Sequence, residues 1–377
     1  MEVAVTGMGL QSALGGLARA WQRLLAGQSG IARRQPFAAL PPRPMGQIGE
    51  RPARLAALAQ EATAAALTDA ALAAPRPDSG VALGSSRGHQ GECEQLAQAR
   101  AQGQAHELAH WPALLPNAAA TAAAQQLGAT GPVLAPMAAC SSGLWAIAQG
   151  GELLQAQQCQ LAIAGGMEAS LTPLTLAGFE RMGALATTGC YPFDRQREGL
   201  VPAEGGAALV LEPASAARAR GTAPYGYLLG AGFSCDAYHP SHPRPGGGSA
   251  ALAIEQCLAR SRLAPADIDA IHAHGTGTPL NDWHEAELIS TRFRDSVPVS
   301  ATKGATGHAL GGSGALSVAF SLLALQQQTL PPCVGLTDPA FALDCVTAAR
   351  PARLRYLLCL NFGFGGQNAA LVLAAAL

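Results

Sequence analysis

The sequence predicts an α/β protein built of layered sheets with helices on both faces, laid out in two successive blocks. Strand-like and helix-like segments alternate along the chain, and the alternation starts afresh near Tyr225. Hydrophobic residues make up 49% of the 377 residues and charged residues only 13%, well under the quarter usual in soluble domains. Much of the chain must therefore lie inside, and sheets covered on both faces hide the most surface. The length allows two or three ordinary domains or one large unit with a deep core. With 44 glycines and abundant alanine, helices can sit close on sheets, and a buried dimer face suits the same composition.

The elements follow in order. Val3 and Val5 alternate before Gly7-Met8-Gly9, which reads as a turn, and Leu17 to Ala26 is helix-like. The run Gly7-x-Gly9-x-x-Ser12 falls short of a dinucleotide fingerprint, because Ser12 stands in place of the third glycine and no acidic residue follows at the required distance. Helical Ala/Leu periodicity spans Ala53 to Ala74, and Gly80 to Gly84 reads as the next strand. The second block opens with a strand from Tyr225 to Phe233 and a helix over 250 to 262. After a break at Ala264-Pro265-Ala266-Asp267, Ile268 to Ala273 is strand-like. Tyr356 to Leu360 and Ala369 to Leu373, joined by a glycine turn, close the chain as a strand pair. The join of the blocks falls around 212 to 225.

Several function classes drop out on charge and composition. A formal net charge of −1 gives no general field for nucleic acid or a membrane surface, so a charged partner must meet a local patch. The nine cysteines, at 93, 140, 159, 190, 235, 257, 333, 345 and 359, form no CxxC pair and no cluster at zinc spacing, which predicts neither a disulfide framework nor a metal site. The start, Met1 to Gly7, lacks a basic region, and Leu310 to Leu325 is too short and too rich in Gly and Ser to span a bilayer. A reduced, cytoplasmic protein is expected.

Three places carry chemistry. Cys140, in Ala139-Cys140-Ser141-Ser142-Gly143, stands where an apolar segment gives way to a run with Leu144, Ile147, Leu153 and Leu154 at helical spacing. The positive end of a helix and its free N–H groups favour a thiolate there, and a nucleophile on a strand-to-helix turn is a geometry for acyl transfer. A small buried thiol packed on a helix is the other reading, and it suits most of the remaining cysteines. His274 ends a strand on the loop Gly275-Thr276-Gly277-Thr278, where backbone can approach a ligand closely. Lys303 is the only lysine of the chain, five positions before His308 in Lys303-Gly304-Ala305-Thr306-Gly307-His308. An ammonium is a compact charge with three movable donors, suited to bracing a neighbour in a tight pocket. One thiol, two loop histidines and one lysine together make an active-site hypothesis.

These residues resemble those of the β-ketoacyl-acyl-carrier-protein synthases of the elongating, Cys-His-His type. The likeness rests on Ala139 to Gly143, His274 to Thr278, Lys303 with Gly307-His308, and Asn361-Phe362-Gly363-Phe364-Gly365-Gly366-Gln367-Asn368, in that order. It extends over Val5 to Gly9, Pro192-Phe193-Asp194, Glu204-Gly205-Gly206 and Cys235 to His239. The resemblance implies the thiolase fold, two similar α/β halves in a five-layered αβαβα arrangement, here 1–212 with the nucleophile and 213–377 with the histidines and the lysine. Further, it implies that Cys140 takes the acyl chain as a thioester. His274 and His308 would assist malonyl-carrier decarboxylation and stabilise the enolate, and Lys303 would support His308. The N–H groups of Cys140 and Phe364 would form the oxyanion hole, with Phe364 also gating the acyl pocket, and Thr276 and Thr278 would meet the phosphopantetheine arm.

By the same resemblance the reaction is a decarboxylative Claisen condensation with malonyl-acyl-carrier protein and needs no cofactor beyond the carrier's arm. Its partners would be an acyl carrier protein and a second subunit, in a homodimer or in a heterodimer with a homologous ketosynthase or chain-length factor. Arg51 and Arg54 are one candidate edge of the carrier surface, although a solvated helix start also explains them. Initiating synthases carry Cys-His-Asn, and chain-length factors typically lose the nucleophile that is present here as Cys140. A Cys/His hydrolase would explain neither Lys303 nor the second histidine. The span from Gly183 to Asp194 is shorter than in housekeeping fatty-acid synthases, and Leu360-Asn361-Phe362 replaces the commoner Asn-Ser-Phe. Fatty-acid, polyketide and aryl-polyene pathways therefore stay open, as does a non-catalytic role as a chain-length-determining partner.

Overall fold

A computed structural model describes residues 1–104 and 111–376. The first block contributes strands β1 (Val3–Ser12), β2 (Ser79–Gly84), β3 (Val133–Leu134), β4 (Leu161–Glu168) and β5 (Gly205–Pro213). The second contributes β6 (Gly226–Cys235), β7 (Ala270–His272), β8 (Pro298–Ser300), β9 (Tyr356–Gly363) and β10 (Gln367–Ala375). Helices α1 (Leu55–Asp69), α2 (Ala118–Leu127) and α3 (Ser142–Gln155) belong to the first block, and α4 (Gly248–Ser261), α5 (Pro279–Arg292) and α6 (Ser313–Gln327) to the second.

Among the described residues these ten strands belong to one twelve-stranded sheet, whose order through the labelled strands is β8-β7-β9-β10-β6-β1-β5-β4-β2-β3. Outward from its middle the two blocks have the same topology. β1 is antiparallel to β5, β5 is antiparallel to β4, and β4 is parallel to β2, which is parallel to β3. β6, β10, β9, β7 and β8 repeat that series of directions. The blocks meet edge to edge where β1 pairs with β6, Val3 opposite Leu228 and Val5 opposite Gly226.

Three apolar clusters show where the helical layers lie. Val81, Leu83, Ile163 and Val210 point one way, against Leu58, Ala62 and Leu127 of α1 and α2. Their neighbours Ala82, Ala164, Leu209 and Leu211 point the other way, into a central cluster with Leu144, Ile147, Leu316 and Phe320 of α3 and α6. Leu357, Leu371 and Leu373 of the second block enter that same central cluster, while Leu358, Leu360 and Val372 face Ile254, Leu288 and Ile289 of α4 and α5. Alternation of faces along each strand thus produces five layers, helices outside and between two sheet halves. α6 is buried from Ser313 to Leu325, which explains why its sequence is apolar on all sides rather than striped.

One sequence expectation changes. Gly7-Met8-Gly9 is not a turn but lies within β1, and a Cβ on Gly7 or Gly9 would run into the carbonyl oxygens of Ala66 or Ala62 in α1. The glycines are there for a close helix, not for a change of direction.

Candidate active site

At one end of the sheet, α3 presents its N-terminus to the loops that leave β7, β8 and β9. Cys140 sits just ahead of α3, on a corner where Ala139 takes a left-handed φ of 47°. That conformation is uncommon for a residue with a side chain. The corner is tied down by Ser142 Oγ, which donates to Ala139 O at 2.6 Å, and by Ser141 Oγ, which donates to Gln367 O at 2.7 Å. Burial pushes the Cys140 thiol up to about 11, while the Lys303 charge and the Phe364 N–H on the sulfur pull the other way. The thiolate expected from the helix end is therefore not the resting form, because loss of hydration outweighs it.

Cys140, His274 and His308 are all buried, and the sulfur and one ring nitrogen of each histidine lie within 4.8 Å of one another. The imidazoles stand edge to face with centroids 5.3 Å apart. Both are held well below the usual histidine range, first by burial and then by the Lys303 charge, so both are neutral. His308 Nδ1 pairs with Ser313 Oγ at 2.8 Å, and its backbone N–H donates to Val201 O at 2.7 Å. His274 Nδ1 lies 3.2 Å from Asn361 Oδ1, and the Asn361 amide N–H donates to Cys140 O at 2.6 Å.

Lys303 is only 3% exposed, and its hydrogen-bond partner is the first histidine, while its charge also reaches His308. Its ammonium donates to His274 O and lies 3.3 Å from His274 Nδ1. With His308 it shares no hydrogen bond among the described residues. The lysine braces the first histidine, because β8 ends beside β7 and delivers Lys303 next to the residue that leaves β7.

Two buried acids complete the loop. Glu285 accepts the N–H groups of His274 at 2.6 Å and Gly275 at 2.7 Å, and Asp282 accepts those of Phe193 at 2.9 Å and Gly277 at 3.2 Å. Burial pushes both carboxyls up, Glu285 to about 7. A third, Glu168, is fully buried and accepts from Ser86 N, Arg87 N and Gly311 N, which locks the segment after His308 to the end of β2. Thr276 and Thr278 share a hydrogen bond at 2.9 Å, and Thr278 Oγ1 also caps α5 by accepting from Asn281 N.

A cavity of about 100 Å³ is lined by Cys140, His274, His308, Thr276, Thr278 and Phe364, among others. Phe364 is half-buried and packs on Phe179 with ring centroids 6.2 Å apart, and Leu185, Leu200 and Leu310 complete an apolar wall around the sulfur. The structure thus gathers six of the sequence candidates on one cavity and Lys303 immediately behind it. Arg51 and Arg54 do not line it; Arg54 is exposed and lies 3.5 Å from Glu92. Sequence reasoning missed Asp282, Glu285, Glu168 and Ser313. The two acids on α5 carried a usable signal in their spacing after the glycine loop, whereas Glu168 carried none. A thiol, two neutral imidazoles and an N–H on the sulfur, under an apolar roof, can form a thioester and stabilise an oxyanion.

Comparison with known proteins points the same way. Residues 37–217 match the family model for the beta-ketoacyl synthase N-terminal domain, and residues 225–337 match that for the C-terminal domain. The 3-oxoacyl-[acyl-carrier-protein] synthase 2 of Mycobacterium tuberculosis is 37% identical over 268 residues, 68% of this chain and 64% of that protein. The match thus spans a little under two thirds of the curated relative. A beta-ketoacyl synthase structure from Burkholderia phymatum superposes with a TM-score of 0.92 at 27% identity, covering 99% of both chains. A ketosynthase in complex with its chain length factor from Xenorhabdus doucetiae gives 0.86 at 29% identity, covering 100% of this chain and 98% of that one.

Proposed function

The chain belongs to the β-ketoacyl synthase family and has the thiolase fold, and from that premise we propose that it is an elongating β-ketoacyl-acyl-carrier-protein synthase. The observation that carries this reading is the buried set of Cys140, His274 and His308 at the head of the cavity. Cys140 Sγ attacks an acyl thioester on a carrier protein, the oxygen of the tetrahedral intermediate is held by the N–H groups of Cys140 and Phe364, and the carrier thiol leaves. Malonyl-carrier then enters along Thr276 and Thr278, and loss of carbon dioxide places an enolate whose oxygen is held at the histidines. Its carbon attacks the Cys140 thioester, the C–S bond breaks, and β-ketoacyl-carrier is released while the Cys140 thiolate takes up a proton. The residues require no cofactor for these steps. The halves 1–212 and 213–377 are supported by the topological repeat that begins at β6.

We further propose an acyl carrier protein as substrate carrier and a second ketosynthase-like subunit as partner, the latter supported by the Xenorhabdus complex. The pathway is fatty-acid, polyketide or aryl-polyene synthesis. Among the described residues no helix is long and apolar enough to cross a membrane, and a cytoplasmic location is part of the proposal. The test is to incubate the purified chain with acyl-carriers of different length, locate the adduct by peptide mass, and add malonyl-carrier. Acylation of Cys140 followed by β-ketoacyl-carrier is expected. Condensation only beside a homologue, with no acyl group ever found on Cys140, would favour a chain-length-determining role, and an adduct on another cysteine would overturn the site.

A further inference from the structure

Two cysteines that the acyl-transfer steps do not use, Cys333 and Cys345, come together beside the end of β8, next to the turn that carries Lys303. We propose that they are a modification site: a peroxide converts the pair to an intrachain disulfide, and closing it disturbs the Lys303 turn and slows condensation on an already loaded Cys140. The site stands apart from the proposed acyl-transfer reading, and only its effect on condensation rests on that reading.

The backbone sets the two residues side by side. The short strand Asp344–Cys345 runs parallel to β8, with Cys345 opposite Val299, and the next residue, Val346, donates its N–H to Val299 O at 2.9 Å. Cys333 is tied to the same spot. Its N–H donates to Val346 O at 2.7 Å, its sulfur accepts the Ala301 N–H at 3.2 Å, and its thiol reaches Val299 O at 3.6 Å. A disulfide spans Cα atoms about 4.4–6.8 Å apart, and a backbone hydrogen bond one residue away brings two segments to that order of separation. The sulfurs themselves interact, for the Cys333 thiol is pushed well up, first by its hydrogen bond with Cys345 and then by burial.

The two thiols differ in access. Cys333 is 1% exposed, whereas Cys345 is only partly buried, so a small oxidant meets Cys345 first and Cys333 resolves the product. The Cys345 sulfur displaces one hydroxyl from hydrogen peroxide, giving a sulfenic acid and water. The Cys333 sulfur then displaces the sulfenic hydroxyl, which leaves with the Cys333 proton as a second water. Two thiols are oxidised and one peroxide is reduced.

The consequence for Lys303 follows from Gly304. Val334 O lies so close to Gly304 that a Cβ there would not fit, so the segment after Cys333 is the floor of the Lys303 turn. Oxidation removes the S–H that reaches Val299 O and draws Cys333 towards Cys345, and that floor moves with it.

The test oxidises the full chain with hydrogen peroxide and digests it under non-reducing conditions with a protease that cuts before aspartate. Cuts at Asp338 and Asp344 separate Cys333 from Cys345, so their peptides stay joined only through the disulfide. Joined peptides are expected, parted by a phosphine reductant and absent from Cys345→Ala and Cys333→Ser; unjoined peptides, or Cys345 joined to another cysteine, would overturn the site. For the second part, Cys140 is first acylated, which masks its sulfur, and the acyl-enzyme is oxidised, freed of peroxide and mixed with malonyl-carrier. Single-turnover condensation is expected to fall about 10-fold and to recover with the phosphine, while Cys345→Ala given the same treatment keeps its rate. An equal loss in Cys345→Ala, or no loss in a wild type whose peptides are joined, would overturn the link to Lys303. A wild type that never acylates Cys140 would overturn the proposed function instead, and the peptide map would still decide the disulfide.

Discussion

Lys303 shows how a single residue's meaning depends on what it touches. It is buried against His274, with burial pulling its ammonium down and the Glu285 charge, beyond ion-pair distance, holding it up. A guanidinium is larger and planar, so Lys303→Arg should fail in a space that leaves the native side chain 3% exposed. We expect condensation by Lys303→Arg to fall at least about 100-fold, close to Lys303→Met, with both variants folded. Removing the charge should also cost stability, mostly above about pH 7 where Glu285 is ionised. Lys303→Met combined with Glu285→Gln should recover much of that loss in urea denaturation; equal stability of the single and double variants would show that the two charges are independent. The position of Cys140 gives the opposite lesson, since a helix end alone does not make a thiolate when the sulfur is fully enclosed.

At the scale of elements, the glycine turn between β9 and β10 carries Phe364 over the cavity. Gly365 and Gly366 take φ of 77° and 71°, and a Cβ on Gly366 would stand 2.8 Å from the Asp236 nitrogen. Gly366→Ala is therefore strained in both backbone and contact, and it should cost about 1–3 kcal/mol while slowing loading through the displaced Phe364. With Phe364 in place the cavity is only about 100 Å³, too little for a long acyl chain. Phe364→Ala should raise the loading of long acyl groups relative to short ones, read as the ratio of adducts by intact mass; an unchanged ratio would remove Phe364 as the gate. α1 begins just after Arg54, and reversing the charge of both Arg51 and Arg54 should raise the Michaelis constant for carrier-bound substrate alone. Equal effects on a small pantetheine thioester would exclude that edge as the carrier surface.

Across the whole molecule, neutral histidines are built into the central layer. His272 is bonded through Nδ1 to Ser321 and through Nε2 to Thr302, and burial drives it down to about 3. A histidine depressed from 6.5 in the unfolded chain adds stability that is complete above that value and is lost as pH falls towards 3. By pH 5 His272 alone should remove about 2 kcal/mol, and His274 and His308 act in the same direction. Urea midpoints should therefore fall steeply between pH 7.5 and 5, and His272→Asn should flatten that dependence. A midpoint independent of pH over this range would mean that these rings are not buried neutral in solution.

The alternation of strands and helices, the two blocks and the thiol, histidines and lysine gathered at the cavity were legible in the sequence, because period, glycine turns and clustered reactive side chains are local properties. The helix spans and the closing strand pair fell within a few residues of their observed limits. Gly7 and Gly9 were misread as a turn because nothing local shows a helix lying on the strand. The contact of Lys303 with His274, the burial that pushes the Cys140 thiol up, and the contacts of Glu168, Glu285 and Asn361 were decided only by tertiary structure. They depend on which strand ends stand side by side and on how much water the packed layers exclude, and both are set by contacts between residues far apart in sequence, such as Asn361 and Cys140, 221 positions apart.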